Sequence, residues 1–373
     1  MGEKAMDVDQ ISSGIVEISR KARFSGTSPE LWTKRLESLI AAQPDVAGPV
    51  RVQDVKPVAE AAGGSNGTLL FRASYRTDGR PVDKAFVLRF LPTSGLFHHY
   101  DVKEQFDLQS KLTSTAVPVA PQIWLDADGH YLERPGYVME RVEGTSPPMA
   151  WMTSGIIHDA SPEDRRKMSL AYLSALGDIH AVDWRALDLG WLEKRAAGTR
   201  AIERETNWYW DALVWSKNSE YIKMFEPIRN WLIANEPEGM EIVLCHGDAN
   251  YGNYLYKGAS VNAVLDWEMS FLGTRECDVA FMHIGDQILL DGVPMPEGAL
   301  TYEERKSEYE RMTGYTLKNL EYFELFVAYR LGIINVLAMN HFPPEVLESF
   351  GPVMRRGPEI CRTRAEALGV DLS

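Results

Sequence analysis

Cysteine is scarce in this 373-residue chain: Cys245, Cys277 and Cys361 are the only three, with no CxxC pair and no cysteine and histidine at ligand spacing. So sparse and odd a count excludes a disulfide scaffold, argues against structural zinc, and predicts a reducing, cytoplasmic setting. Excess positive charge is missing too. Lys and Arg number 39 against 53 Asp and Glu, a formal charge of −14, so duplex nucleic acid is not the expected partner, because such binding neutralises phosphates with a basic face. No apolar run is read as approaching the roughly 20 residues of a membrane span, and the opening MGEKAMDVDQISSG lacks the apolar core of a signal peptide. The expectation is neither membrane nor nucleic acid as partner. Internal repeats and low-complexity segments are likewise absent.

What is present is an ordinary globular composition, 45% hydrophobic and 25% charged, over a length that suits two or three domains. Residues 1–49 read as an N-terminal extension with one helix, opened by Ser28-Pro29-Glu30 and carrying Leu31, Leu36, Leu39 and Ile40. From 50 to 142 the character is β: strands over 51–58, 68–77 and 85–91, the last two around Asp78-Gly79-Arg80-Pro81, a helix over 101–112, then strands over 122–125 and 137–142. From 143 to 373 it is helical, with amphipathic stretches over 164–182, 199–234, 302–313 and 320–341. The class is α+β, an antiparallel sheet lobe followed by a mainly helical lobe.

One β island interrupts the helices, LCHGDANYGNYLYKGASVNAVLDWEMSFLGTRECDVAFM. Asp248 follows a short apolar strand, Asn253 follows a tight segment, and Asp266 ends the second strand of a hairpin turned by Lys257-Gly258-Ala259-Ser260. Three oxygen-bearing side chains at strand ends converge on one loop face. Mg²⁺ takes carboxylate and carbonyl oxygens and keeps waters and phosphate oxygens, so Asn253 and Asp266 suit it. Asp248 is then the group to accept a proton from an acceptor hydroxyl, the division of labour that phosphoryl transfer requires.

The segments HGDxxxxN (His246 to Asn253) and DWE (Asp266 to Glu268), with Gly273 to Asp278 after them, resemble the signature of the aminoglycoside phosphotransferase family, small-molecule kinases of bilobal protein-kinase-like fold. DWEMSFLGTRECDVAFM is most similar to the branch that includes the kinase domain fused to acyl-CoA dehydrogenases. The resemblance implies Asp248 as catalytic base, Asn253 and Asp266 as Mg²⁺ ligands, and an adenine site on the backbone of Glu140 to Val142. It also implies a nucleotide loop at Gly64, Ser65 and Asn66, and an Arg89–Glu104 pair in place of the usual lysine and glutamate. ATP is the implied donor, with GTP as the alternative. Asp278 is read as a brace for the catalytic loop, with His180 beneath it, and His246 as a support for that loop.

The acceptor is expected to be a small-molecule hydroxyl met by the helical lobe, where Trp208, Asp211 and Trp215 share a helical face within an aromatic stretch. Few clustered carboxylates suit a mixed or apolar hydroxyl compound at least as well as an aminoglycoside. A hydroxyacyl-CoA or other hydroxy metabolite is the alternative acceptor, and a catalytically silent nucleotide-binding protein is the alternative of another class. The protein is expected as a monomer or homodimer.

Overall fold

The computed structural model describes residues 28–58, 67–92, 95–194, 196–342 and 344–372. Gly64, Ser65 and Asn66 lie outside the described residues. The described chain divides into two compact units, one running to Ser114 and resuming over Val119–Glu143, the other made of Thr115–Pro118 with everything from Gly144 onward.

The first unit begins with α1 (Pro29–Ala41), whose Ser28 cap accepts from the Leu31 N–H and whose successive turns bring Trp32, Leu36, Leu39 and Ile40 to one face. Strands β1 (Val46–Pro57), β2 (Gly67–Thr77) and β3 (Arg80–Phe90), helix α2 (Val102–Leu112), and strands β4 (Gln122–Asp126) and β5 (Gly136–Glu140) follow. They form one antiparallel sheet in the order β1-β2-β3-β5-β4. Asp78 and Gly79 both take positive φ, which makes β2 and β3 a two-residue hairpin and starts β3 at Arg80, earlier than the sequence pattern indicates. Period-two alternation sends Phe86, Leu88 and Phe90 to a core that includes the apolar face of α1. Val87 and Leu91 turn to the opposite cluster with Val102 of α2 and Tyr137 of β5. Helix α1 is therefore part of the sheet unit's own core.

The second unit contains α3 (Gly155–His158), α4 (Pro162–His180), α5 (Ala201–Trp215), α6 (Ser219–Ala234), β6 (Val243–Cys245), β7 (Tyr254–Lys257), β8 (Ser260–Val264), β9 (Phe271–Gly273), α7 (Arg275–Leu290), α8 (Tyr302–Thr313), α9 (Leu320–His341) and α10 (Pro344–Ala367). β6 pairs with β9 and β7 with β8, both antiparallel. The amphipathic stretch over 199–234 is two helices. Lys217 adopts φ +58°, and Asn218 caps the second helix through the Tyr221 N–H, so the chain turns where periodicity alone ran on.

Helix α9 corrects the reading that no apolar run approaches a bilayer span: by length and composition it is apolar and long enough to cross one. Of its most apolar window 72% is buried inside the protein. Glu321 is exposed and Glu324 partly so, but Arg330 is buried and does not belong to a water-facing stripe.

Candidate active site

Strand β6 ends at Cys245, and the next three residues form a loop whose polar backbone groups are all held. The Asp278 carboxylate, fully buried at the start of α7, accepts from the His246 N–H at 2.7 Å and the Gly247 N–H at 2.8 Å. Its third donor is His180 Nε2 at 3.0 Å, and His180 Nδ1 meets the Tyr309 hydroxyl at 2.6 Å. Burial pushes the Asp278 carboxyl up, but the His180 hydrogen bond and the loop amides outweigh it and hold the carboxyl below its ordinary range. Tyr172 donates to the Ala249 carbonyl at 2.5 Å.

His246 ties the loop to the DWE segment. Its Nε2 donates to the Leu265 carbonyl at 2.8 Å, while Nδ1 accepts from the Asp248 N–H at 3.3 Å, a pairing that sets the Nε2–H tautomer. The imidazole packs edge-on to Trp267. With both nitrogens engaged, His246 supports the loop.

The half-buried Asp248 carboxylate is oriented at both oxygens. Oδ1 accepts from Asn250 Nδ2 at 2.6 Å and Oδ2 from Asn253 Nδ2 at 2.8 Å, and the same Asn253 amide also donates to the Asp248 carbonyl at 2.9 Å. Burial raises the Asp248 pKa, and the neighbouring Asp266 carboxylate adds to the rise. Asn253 also accepts from the Leu265 N–H through its backbone carbonyl at 2.7 Å, which brings the end of β8 beside the loop. Asp266 then adopts φ +62°, a left-handed conformation that Asp tolerates better than most residues, and starts the short helix Trp267–Met269. Asp248, Asn253 and Asp266 are thus brought together. Because Asn253 donates through Nδ2, its Oδ1 is the atom to offer a cation, and with the Asp266 carboxylate the donor set is all hard oxygen, the chemistry that fits Mg²⁺.

Asn250 went unrecognised in the sequence although it holds one carboxylate oxygen. An Asn two residues after an Asp, in a loop, is the one local signal that could have indicated it.

In the sheet unit, Arg89 lies on β3 opposite Tyr137 of β5, and alternation gives it the α2-covered face that Val87 shares. Glu104 is in the first turn of α2, behind the Asp101 cap. The Glu140 N–H donates to the Pro121 carbonyl at 2.9 Å and the Arg141 N–H to the Ala85 carbonyl at 3.1 Å. Lys84 pairs with Glu140 at 2.6 Å on the surface, and Val142 packs against the Tyr137 cluster.

Helix α5 separates the three residues read as an acceptor face. Trp208 is buried against Tyr209, whereas Asp211 is exposed and Trp215 is 53% exposed. Trp208 is core; in the later turns the packed side of the helix is that of Ala212 and Leu213, and Asp211 and Trp215 lie off it.

A sequence model of the phosphotransferase enzyme family matches residues 65–316. Among curated proteins, a probable acyl-CoA dehydrogenase of Arabidopsis thaliana is 28% identical over 273 residues, 67% of this chain and 32% of its own length. The chain spans about a third or less of the curated relatives it matches. Among solved structures, a Ralstonia eutropha protein assigned to the aminoglycoside phosphotransferases is similar at TM-score 0.65 and 21% identity, covering 91% of this chain and 98% of that one. The aminoglycoside phosphotransferase APH(4)-Ia, solved with AMP-PNP and hygromycin B, gives TM-score 0.53 at 14% identity over 88% of this chain and 98% of that one. At these identities the structural likeness is one of fold, and that fold is kinase-like.

Proposed function

The chain belongs to the phosphotransferase enzyme family, and from that premise we propose that it transfers the γ-phosphoryl group of ATP to a hydroxyl of a small molecule. The observation that carries the reading is the Asp248 carboxylate, fixed at both oxygens by Asn250 and Asn253 and raised in pKa by burial beside Asp266. A carboxylate so held is a positioned base. It accepts the hydroxyl proton as the acceptor oxygen bonds to the γ-phosphorus; the bond from that phosphorus to the β,γ-bridging oxygen breaks, and ADP leaves. Asn253 Oδ1 and Asp266 would hold Mg²⁺, which when bound supplies charge neutralisation at the phosphate oxygens.

For the nucleotide, the Glu140 and Arg141 N–H groups are already used within the sheet unit, so recognition of the base falls to the Glu140 carbonyl and the Val142 N–H. Arg89 is assigned the phosphates, where a guanidinium forks onto oxygen pairs as a lysine cannot. The similarity to acyl-CoA dehydrogenase proteins favours a hydroxyacyl-CoA as acceptor over an aminoglycoside.

The test is transfer of labelled phosphate from ATP, with GTP as a parallel donor, to hydroxyacyl-CoAs, aminoglycosides, choline and sugars with Mg²⁺. Asp248→Asn is expected to retain nucleotide binding and to reduce turnover by about 10²-fold or more. Turnover within a few-fold of the wild type removes Asp248 as the base. Label in no acceptor, with nucleotide bound, supports the silent nucleotide-binding protein instead.

A further inference from the structure

Arg330 lies in the middle of α9, 1% exposed, among three aromatic rings and one carboxylate, Glu205. Its guanidinium carbon is 5.0 Å from the Tyr209 ring centre, 4.8 Å from Phe271 and 5.6 Å from Phe326. The Nη2 atom is 3.2 Å from the Tyr209 hydroxyl, 3.3 Å from Glu205 Oε1 and 3.2 Å from the Gly247 carbonyl oxygen. A buried cation in an apolar helix is costly unless paired. Burial alone would lower the Arg330 pKa, but Tyr209 and Glu205 reverse the sign and keep it charged.

The Gly247 carbonyl belongs to the peptide that enters Asp248. Gly247 has φ +82°, and a Cβ there would lie 2.0 Å from the Met269 carbonyl oxygen and 3.2 Å from Arg330 Nη2, so the turn is available to glycine alone. Its N–H is held by Asp278 from α7 and its C=O by Arg330 from α9. The two bonds grip one residue from both sides, and rotation of the Gly247–Asp248 peptide would swing the Asp248 carboxylate away from the Asn250 and Asn253 amides.

We propose that Arg330 is a positioning residue for phosphoryl transfer: its hydrogen bond to the Gly247 carbonyl, braced by the Tyr209, Phe271 and Phe326 rings, sets the aim of the Asp248 carboxylate. The inference rests on the phosphotransferase reading given above. Lysine would keep the charge but lose the planar fit between the rings that presents Nη2 to Tyr209, Glu205 and Gly247.

The experiment compares wild type, Arg330→Lys, Asp248→Asn and the double variant by steady-state phosphate transfer, and by hydrogen–deuterium exchange of the 245–253 peptide. Arg330→Lys is expected to lower kcat about tenfold to a hundredfold with KM for nucleotide changed less than about twofold, the signature of a misaimed group. Added to Asp248→Asn it should cost less than about twofold more, since both changes remove the same carboxylate function. Exchange at 245–253 should speed up while other peptides of the helical unit keep their rates.

An unchanged kcat with unchanged exchange overturns the proposal, and so does an equal loss in both backgrounds, which marks a purely structural arginine. If Arg330→Lys does not fold, Glu205→Gln carries the same test, with kcat down about threefold to tenfold at constant KM and the same local exchange. A wild type that labels no acceptor refutes the phosphotransferase reading, and the exchange data then still decide whether Arg330 holds the loop.

Discussion

At the residue scale, Asp278 couples stability to the loop that carries Asp248. Its carboxylate accepts from two loop amides and from His180, and its pKa is depressed in the folded protein. The stability it contributes is present above the unfolded carboxyl pKa, about 3.9, and is lost as pH falls through the lower folded value. Asp278→Asn should cost about 3 kcal/mol at pH 7, and the gap from wild type should narrow below about pH 4, as read by urea unfolding across pH. A gap that stays constant with pH would mean that the charge of Asp278 does not carry the stabilisation. Asp248, Asn253, Asp266 and Asp278 were legible in the sequence because their chemistry is concentrated in 31 consecutive residues, 248–278, where spacing survives folding. The contact of Arg330 with the Gly247 carbonyl was not, since the two are 83 residues apart and nothing local distinguishes a clamped arginine from a solvated one.

At the scale of elements, α5 shows how a helical face misleads. Trp208, Asp211 and Trp215 share a stripe, but it runs along the margin of the packed side, which in the later turns is that of Ala212 and Leu213, so Trp208 is 3% and Trp215 53% exposed. Trp208→Ala should destabilise by about 3–5 kcal/mol, as large-to-small changes in a core do. Trp215→Ala should stay within about 0.5 kcal/mol. Thermal or denaturant melts of the two variants check both, and equal losses would contradict the split. Helix periodicity found α8 and α9 well, yet the break at Lys217 escaped it, because a capping Asn and one positive φ carry no hydrophobic signal. β6 was read as a strand, but its partner β9 escaped, being three residues long and joined to it across 25 others. Helix α1 read as an appendage because its partners, Val52, Phe90 and Trp124, are scattered along the sequence and meet it only in the folded sheet.

At the scale of the molecule, the two units hold their chemistry unevenly. All three cysteines belong to the helical unit, at the end of β6, in the first turn of α7 and late in α10, and all are buried. Burial pushes the Cys361 thiol up, and the Cys245 thiol too, so neither is nucleophilic in the native state. The chain therefore contains its own reporter of helical-unit opening. A chromogenic disulfide reagent should find no reactive thiol in the native protein and three after unfolding, at a rate set by opening rather than by chemistry. The sheet unit is silent in that assay but contributes to circular dichroism, so the two signals, followed together through a denaturant series, time its loss against that of its neighbour. Coincident curves would mean that the units melt as one; a dichroism change that precedes thiol release would mean that the sheet, which contains Arg89 and Glu104, can come apart while the Asp248 loop is still shut.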